Sequence, residues 1–154
     1  MDLLTLTQER FAWTCLTAPA KDAAIEQLLD LLLSEGAFPP DARDEVLEAV
    51  MTRERRLSTG LENGVAIPHG TTSVVDREVA AVGIFPQGVP FDAVDDHDTK
   101  IVILLVTPHC ERHRHVTNLA AIARQLLSSG VREALLAART RDDVFQAIRT
   151  ASEG

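Results

Sequence analysis

Cysteine is scarce, positive charge is in deficit, and no apolar run is long. Cys15 and Cys110 are the only cysteines, too few for a disulfide framework and suited to a reducing cytosol. Lys and Arg number 15 against 23 Asp and Glu, a formal net charge of −8. A general binder of the phosphate backbone needs a basic surface, so nucleic acid is not an expected partner, whereas a small basic pocket is compatible with this balance. The longest clearly apolar stretch, Ile101 to Val106, is far too short to cross a bilayer. The start Met1-Asp2-Leu3-Leu4 lacks the cationic flank of a signal peptide. These absences lead us to expect a cytoplasmic protein with no membrane insertion. No repeat or low-complexity tract breaks the chain, so a single domain over residues 1–154 is expected. A chain of this size typically buries about 70% of its unfolded surface, and 45% hydrophobic residues supply a core without metal or disulfide staples.

What is present alternates in type. Phe11 to Leu16 is rich in strand formers, and Ala18-Pro19-Ala20 interrupts it. The spacing of Ile25, Leu28, Leu29 and Leu32 predicts a helix over Lys21 to Ser34, stopped by Gly36. Pro39-Pro40-Asp41 opens a second helix with Val46, Leu47, Val50 and Met51 as its apolar stripe. Strands are expected at Gly64 to Ile67, Glu78 to Phe85 and Lys100 to Thr107, the last aliphatic enough to be covered on both faces. A third helix is expected over Arg112 to Ser128, burying Val116, Leu119, Ala123 and Leu126. A short helix follows at Val131 to Ala138, and a last one after a Thr140/Asp143 capping box. This alternation implies an α/β fold, a three-layer α/β/α sandwich around a small mixed sheet.

Two segments carry chemistry. In Val65-Ala66-Ile67-Pro68-His69-Gly70 a short strand ends in a proline of fixed φ, and the following histidine has little bulk beyond it. Gly70 allows a ligand or a backbone to approach closely. Such a histidine can serve as an accessible nucleophile or ligand, although the tripeptide alone favours an ordinary loop histidine. The second segment, Pro108-His109-Cys110-Glu111-Arg112-His113-Arg114-His115, invites a metal reading through His109, Cys110 and His113. It lacks the second ligand pair of a structural zinc site, and residues two apart on a helix do not share a face. No metal is expected. Arg53-Glu54-Arg55-Arg56 ends the second helix, where cations suit the macrodipole; one guanidinium turned toward His69 would make a bidentate phosphate contact possible.

Taken in order, Arg53-Glu54, Ser58-Thr59-Gly60, Gly64 to Gly70, Phe91-Asp92-Ala93-Val94-Asp95 and His115-Val116 with Leu119, Ala120 and Ala123 carry a resemblance. They are similar to the fructose, mannitol and nitrogen-regulatory class of enzyme IIA of the bacterial phosphoenolpyruvate-dependent phosphotransferase system, slightly closer to the nitrogen type. The likeness runs from about Phe11 to Ile148. It implies that His69 accepts the phosphoryl group, that His115 stabilises it and that Arg53 contacts it. Thr59, Pro68 and Gly70 match supporting positions. The implied partners are a histidine phosphocarrier protein (HPr or its nitrogen-branch analogue) upstream, and an enzyme IIB component or a regulatory target downstream. No cofactor is implied. Two departures stand out: Glu62 stands where the family often has glycine, and Asp95-Asp96-His97-Asp98-Thr99 lacks the usual proline. The alternatives are a non-catalytic binding module of the same fold and a metal-binding protein using the 109–115 cluster.

Neutral imidazole is a competent nucleophile near neutral pH, and a loose phosphoryl-transfer transition state chiefly needs positioning and charge stabilisation. His69 as acceptor, with His115 and Arg53 as donors to the phosphoryl oxygens, meets that need.

Overall fold

A computed structural model describes residues 3–153. In chain order the elements are α1 (Leu3–Leu6), β1 (Ala12–Trp13), α2 (Lys21–Ser34), α3 (Arg43–Arg56), β2 (Val65–Ala66), β3 (His69–Thr72), β4 (Val79–Val89), β5 (Thr99–Pro108), α4 (Arg112–Leu127), α5 (Ser129–Ala137) and α6 (Arg141–Glu153). The sheet has five strands in the order β1-β4-β5-β2, with β3 also paired to β5. Only β4 and β5 run antiparallel; β1 is parallel to β4, and β2 and β3 are parallel to β5.

The two long central strands divide the core between the faces of the sheet, because successive side chains of a strand point to opposite sides. Val79, Ala81 and Phe85 of β4, with Val102, Leu104 and Val106 of β5, pack beneath α2 and α3 against Ile25, Leu28, Leu29, Leu32, Val46 and Val50. Their neighbours Ala80, Val82, Ile84, Ile101, Ile103 and Leu105 face α4, α5 and α6 through Ile122, Leu126, Leu135, Val144 and Ile148. The three-layer α/β/α sandwich expected from the sequence is therefore the observed one. Among the described residues no helix is long and apolar enough to cross a membrane.

Several local expectations are corrected. The strand over Phe11 to Leu16 shrinks to Ala12–Trp13, with Phe11 closing a short 3-10 turn before it. The second helix begins with a 3-10 turn at Pro40–Ala42 and becomes α-helical at Arg43. In α4 the buried stripe is His115, Asn118, Ile122 and Leu126, while Val116 is 74% exposed. The helix is rotated by one position from the purely apolar phase, so that two polar residues face inward. The capping box is present: Asp143 N donates to Thr140 Oγ1 at 3.0 Å, and Thr140 N donates to an Asp143 carboxylate oxygen at 3.2 Å.

The strand edge against β5 is broken once. β2 pairs at Ile101 and Val102, and β3 resumes at Leu105. Ile67 and Pro68 lie between, where proline has no N–H to give the ladder yet its carbonyl accepts from Leu105 N at 3.0 Å. His69 thus heads a strand rather than a loop. The close approach anticipated at Gly70 is made by α3: a Cβ there would lie 2.9 Å from Val50 N and 3.0 Å from Ala49 C. Both are helix backbone and cannot swing aside, so Gly70→Ala is expected to destabilise the fold by about 1–3 kcal/mol. Urea unfolding of the two proteins checks this; an unchanged midpoint would mean that α3 withdraws freely.

Candidate active site

The C-terminal end of β5 gathers the chemistry. His69, opposite Leu105, and His115, in the first turn of α4, place their ring centroids 5.1 Å apart with planes inclined at 56°. His69 Nδ1 lies 2.7 Å from the Ile67 carbonyl oxygen. A carbonyl only accepts, so Nδ1 carries the ring proton and Nε2 keeps the lone pair. His115 Nδ1 lies 2.7 Å from Thr107 Oγ1, and Thr107 Oγ1 donates to Glu78 Oε2 at 2.6 Å. Glu78 Oε1 in turn accepts from Asn118 Nδ2.

Both rings are held below the ordinary histidine pKa. For His69 burial dominates; the Ile67 carbonyl opposes it, the Arg53 cation adds to it, and Glu54 opposes it. For His115, which is 8% exposed, burial acts first, then repulsion from His69 and Arg53, and the value falls to about 4. Two neutral imidazoles therefore face a shared space at pH 7, beside a permanent cation. Arg53 lies in the last turn of α3, where its Nη1 donates to the Leu57 carbonyl at 2.7 Å. That bond anchors the guanidinium to the turn following the helix.

Beneath this group lies a carboxylate that the sequence hid. Glu54 is 2% exposed because it continues the inward stripe of Val46, Val50 and Met51. It accepts from Thr59 N at 3.1 Å and from Thr59 Oγ1 at 2.6 Å, and it pairs with Lys21 at 3.6 Å. A buried carboxylate is tolerable only when its charge and lone pairs are met in this way. Thr59 O then accepts from Ile67 N at 3.3 Å, and Ile67 O holds His69. Support thus runs from Glu54 through Thr59 and Ile67 to the histidine. The Thr59 hydroxyl is engaged by Glu54 in this arrangement, and Pro68 is buried behind His69.

His69, His115 and Arg53 come together as the sequence suggests, with Thr59, Pro68 and Gly70 behind them. Glu54, Glu78, Thr107 and Asn118 were missed. The helical phase of α3 could have found Glu54; Glu78 is separated from its partners by too much chain for any local pattern. Glu62 stands exposed in the turn Glu62–Gly64, and the carboxylate acting on His69 is Glu54 instead. His109, Cys110 and His113 are exposed. Among the described residues no group of three or more His, Cys, Asp or Glu is placed to hold a metal ion. Untagged protein should contain no stoichiometric transition metal on elemental analysis; one tightly held ion per chain, lost on replacing Cys110 and His113, would overturn this.

Residues 5–151 match the family described as phosphoenolpyruvate-dependent sugar phosphotransferase system, EIIA 2. The chain is 36% identical over 124 residues to the fructose-specific EIIA component of Haloferax volcanii, covering 80% of this chain and 79% of that protein. It is 33% identical over 138 residues to the nitrogen regulatory protein of Escherichia coli, covering 88% and 81%. The crystal structure of nitrogen regulatory protein IIA-Ntr from Neisseria meningitidis superposes with a TM-score of 0.83 at 25% identity, covering 94% of this chain and 97% of that one.

Proposed function

The chain belongs to the EIIA 2 family of the phosphoenolpyruvate-dependent sugar phosphotransferase system, and from that premise we propose that His69 Nε2 is the atom that takes up the phosphoryl group. The protein is a phosphoryl carrier of that system, in sugar transport or in its nitrogen-regulatory branch. The observation that carries the assignment to His69 is its tautomer. The Ile67 carbonyl fixes the proton on Nδ1, so the lone pair stands on Nε2, on a half-buried ring at the mouth of the site.

In the transfer, His69 Nε2 forms a bond to phosphorus as the N–P bond of the donor's phosphohistidine breaks. The electron pair of that bond returns to the donor's ring nitrogen. Nδ1–H stays on the Ile67 carbonyl and shares the positive charge that develops on the phosphorylated ring. Arg53 offers a fork of N–H groups to the phosphoryl oxygens. A neutral nucleophile and a fixed cation are what a loose phosphoryl-transfer transition state needs. The donor is a histidine phosphocarrier, HPr or its nitrogen-branch analogue. The acceptor is an enzyme IIB component, or the phosphorylation state itself is read by a regulatory target.

Incubation with labelled phosphoenolpyruvate, enzyme I and the carrier of either branch tests the reading. One acid-labile phosphate per chain on His69 is expected, and absence of label with both carriers would sink it. The protonation states are tested separately by following the imidazole C–H resonances against pH. His69 should titrate below its ordinary value of about 6.5 and His115 at about 4. The acceptor is therefore neutral at pH 7; a His69 midpoint above about 6.5 would contradict this.

A further inference from the structure

The second histidine faces a difficulty that its surroundings resolve. Thr107 has one hydroxyl proton, and Glu78, as a carboxylate, can only accept it. The Thr107 oxygen must then accept from His115 Nδ1–H, so neutral His115 also presents a bare lone pair at Nε2. A lone pair repels phosphoryl oxygens. His115 can donate to them only after Nε2 takes a proton from solvent, with Nδ1–H remaining on Thr107.

We infer that Glu78 is the positioning residue of this site: through Thr107 it fixes the tautomer of His115 and supplies the counter-charge that lets the ring become a cation when a phosphoryl group arrives. The inference deepens the phosphoryl-carrier reading and rests on it. Three links carry it: His115 Nδ1 to Thr107 at 2.7 Å, Thr107 to Glu78 at 2.6 Å, and the second Glu78 oxygen taken by Asn118. Asn118 lies one helical turn beyond His115, on the same inward face of α4. Both rows of the clasp therefore meet at one carboxylate. An amide in its place would turn a donor toward Thr107 or Asn118, so that the hydroxyl would have to give its proton to His115 Nδ1 or the Asn118 amide would have to flip. The charged groups bearing on His115 are His69 from β3 and Arg53 from α3; Glu78 reaches it only by way of the hydroxyl. With the site vacant, burial and these two neighbours keep the ring neutral. A phosphoryl dianion between His69 and Arg53 reverses the sign of the local field, and Glu78 makes the resulting imidazolium tolerable. The device works as a donor that is switched on by its own substrate.

The test compares the parent protein with Glu78→Gln, Thr107→Val and Thr107→Ser. Nitrogen-15 imidazole shifts report the His115 tautomer, and labelled phosphate reports uptake and onward transfer. In the parent the Nδ1–H form should dominate, and on phosphorylation of His69 the His115 midpoint should rise. Glu78→Gln and Thr107→Val should mix or invert the tautomer and slow transfer about 10–100-fold, the order seen when a metal-ligating histidine loses its outer partner. Thr107→Ser, which keeps the hydroxyl, should preserve both. Should Glu78→Gln fold poorly, the valine and serine pair decides alone. An unchanged tautomer and rate in Glu78→Gln or Thr107→Val overturns the role of Glu78 while His69 labelling stands. A parent that takes no label sinks the carrier reading instead, whatever the tautomer.

Discussion

The His69→Ala protein is expected to fold as the parent does and to take up no acid-labile phosphate. The side chain contributes one hydrogen bond to a backbone carbonyl, worth about 1 kcal/mol, and none of the large apolar packing. Its loss should shift the unfolding midpoint only slightly. Its effect on chemistry should be complete, because the site's other imidazole is poorly placed to substitute. His115 is 8% exposed, lies behind His69 on the inward face of α4, and is tied to Thr107. A phosphocarrier's phosphorus can be approached in line only by a nucleophile at the surface of the site. The check is labelling by phosphoenolpyruvate through the upstream carriers, followed by acid lability and site mapping. Label that persists in His69→Ala, mapped to His115, would reverse the two roles.

How much of this was legible in the sequence depends on whether the signal was local. Helix α2 was readable to its ends, because its apolar stripe and Gly36 agree with the packing. The aliphatic run of β5 announced a strand covered on both faces. Strand β3 was not readable: His69-Gly70-Thr71-Thr72 has no apolar alternation, and it is held as a strand by pairing with β5 and by α3 lying on Gly70. The phase of α4 was misread for a related reason. Apolar periodicity favours Val116, whereas the fold turns His115 and Asn118 inward to meet Thr107 and Glu78. Polar residues on a buried face defeat a rule based on hydrophobicity, and these two are tolerated there because Thr107 and Glu78 satisfy them. The histidines and Arg53 were singled out through motif order, while the buried Glu54 was passed over as part of a charged helix end. Its burial follows from the same spacing that buries Val46 and Val50.

His115→Ala and Arg53→Ala should separate holding the phosphoryl group from accepting it. Each leaves the nucleophile in place, so labelling of His69 should persist in both. Each removes a donor aimed at the transferring group, and one preorganised donor typically carries about 10²–10³ in rate; onward transfer should slow by that order. The two variants should differ in their electrostatics. Arg53 is a permanent cation that depresses the pKa of both rings, so its removal should raise both midpoints. His115 is not among the groups that set the His69 pKa, so its removal should leave the repulsion of Arg53 on His69 in place. Arg53→Lys offers a finer test: a point charge keeps the depression of the histidine pKa values but loses the planar fork. It should therefore restore the midpoints without restoring the full transfer rate. Uptake and onward transfer must be timed separately, starting onward transfer from protein already labelled and freed of its carrier. If His115→Ala changes neither rate, that ring is a bystander and the clasp formed by Thr107, Glu78 and Asn118 serves folding alone. If Arg53→Ala abolishes uptake altogether, the guanidinium is needed to bring the donor's phosphoryl group within reach, before any bond to His69 begins to form.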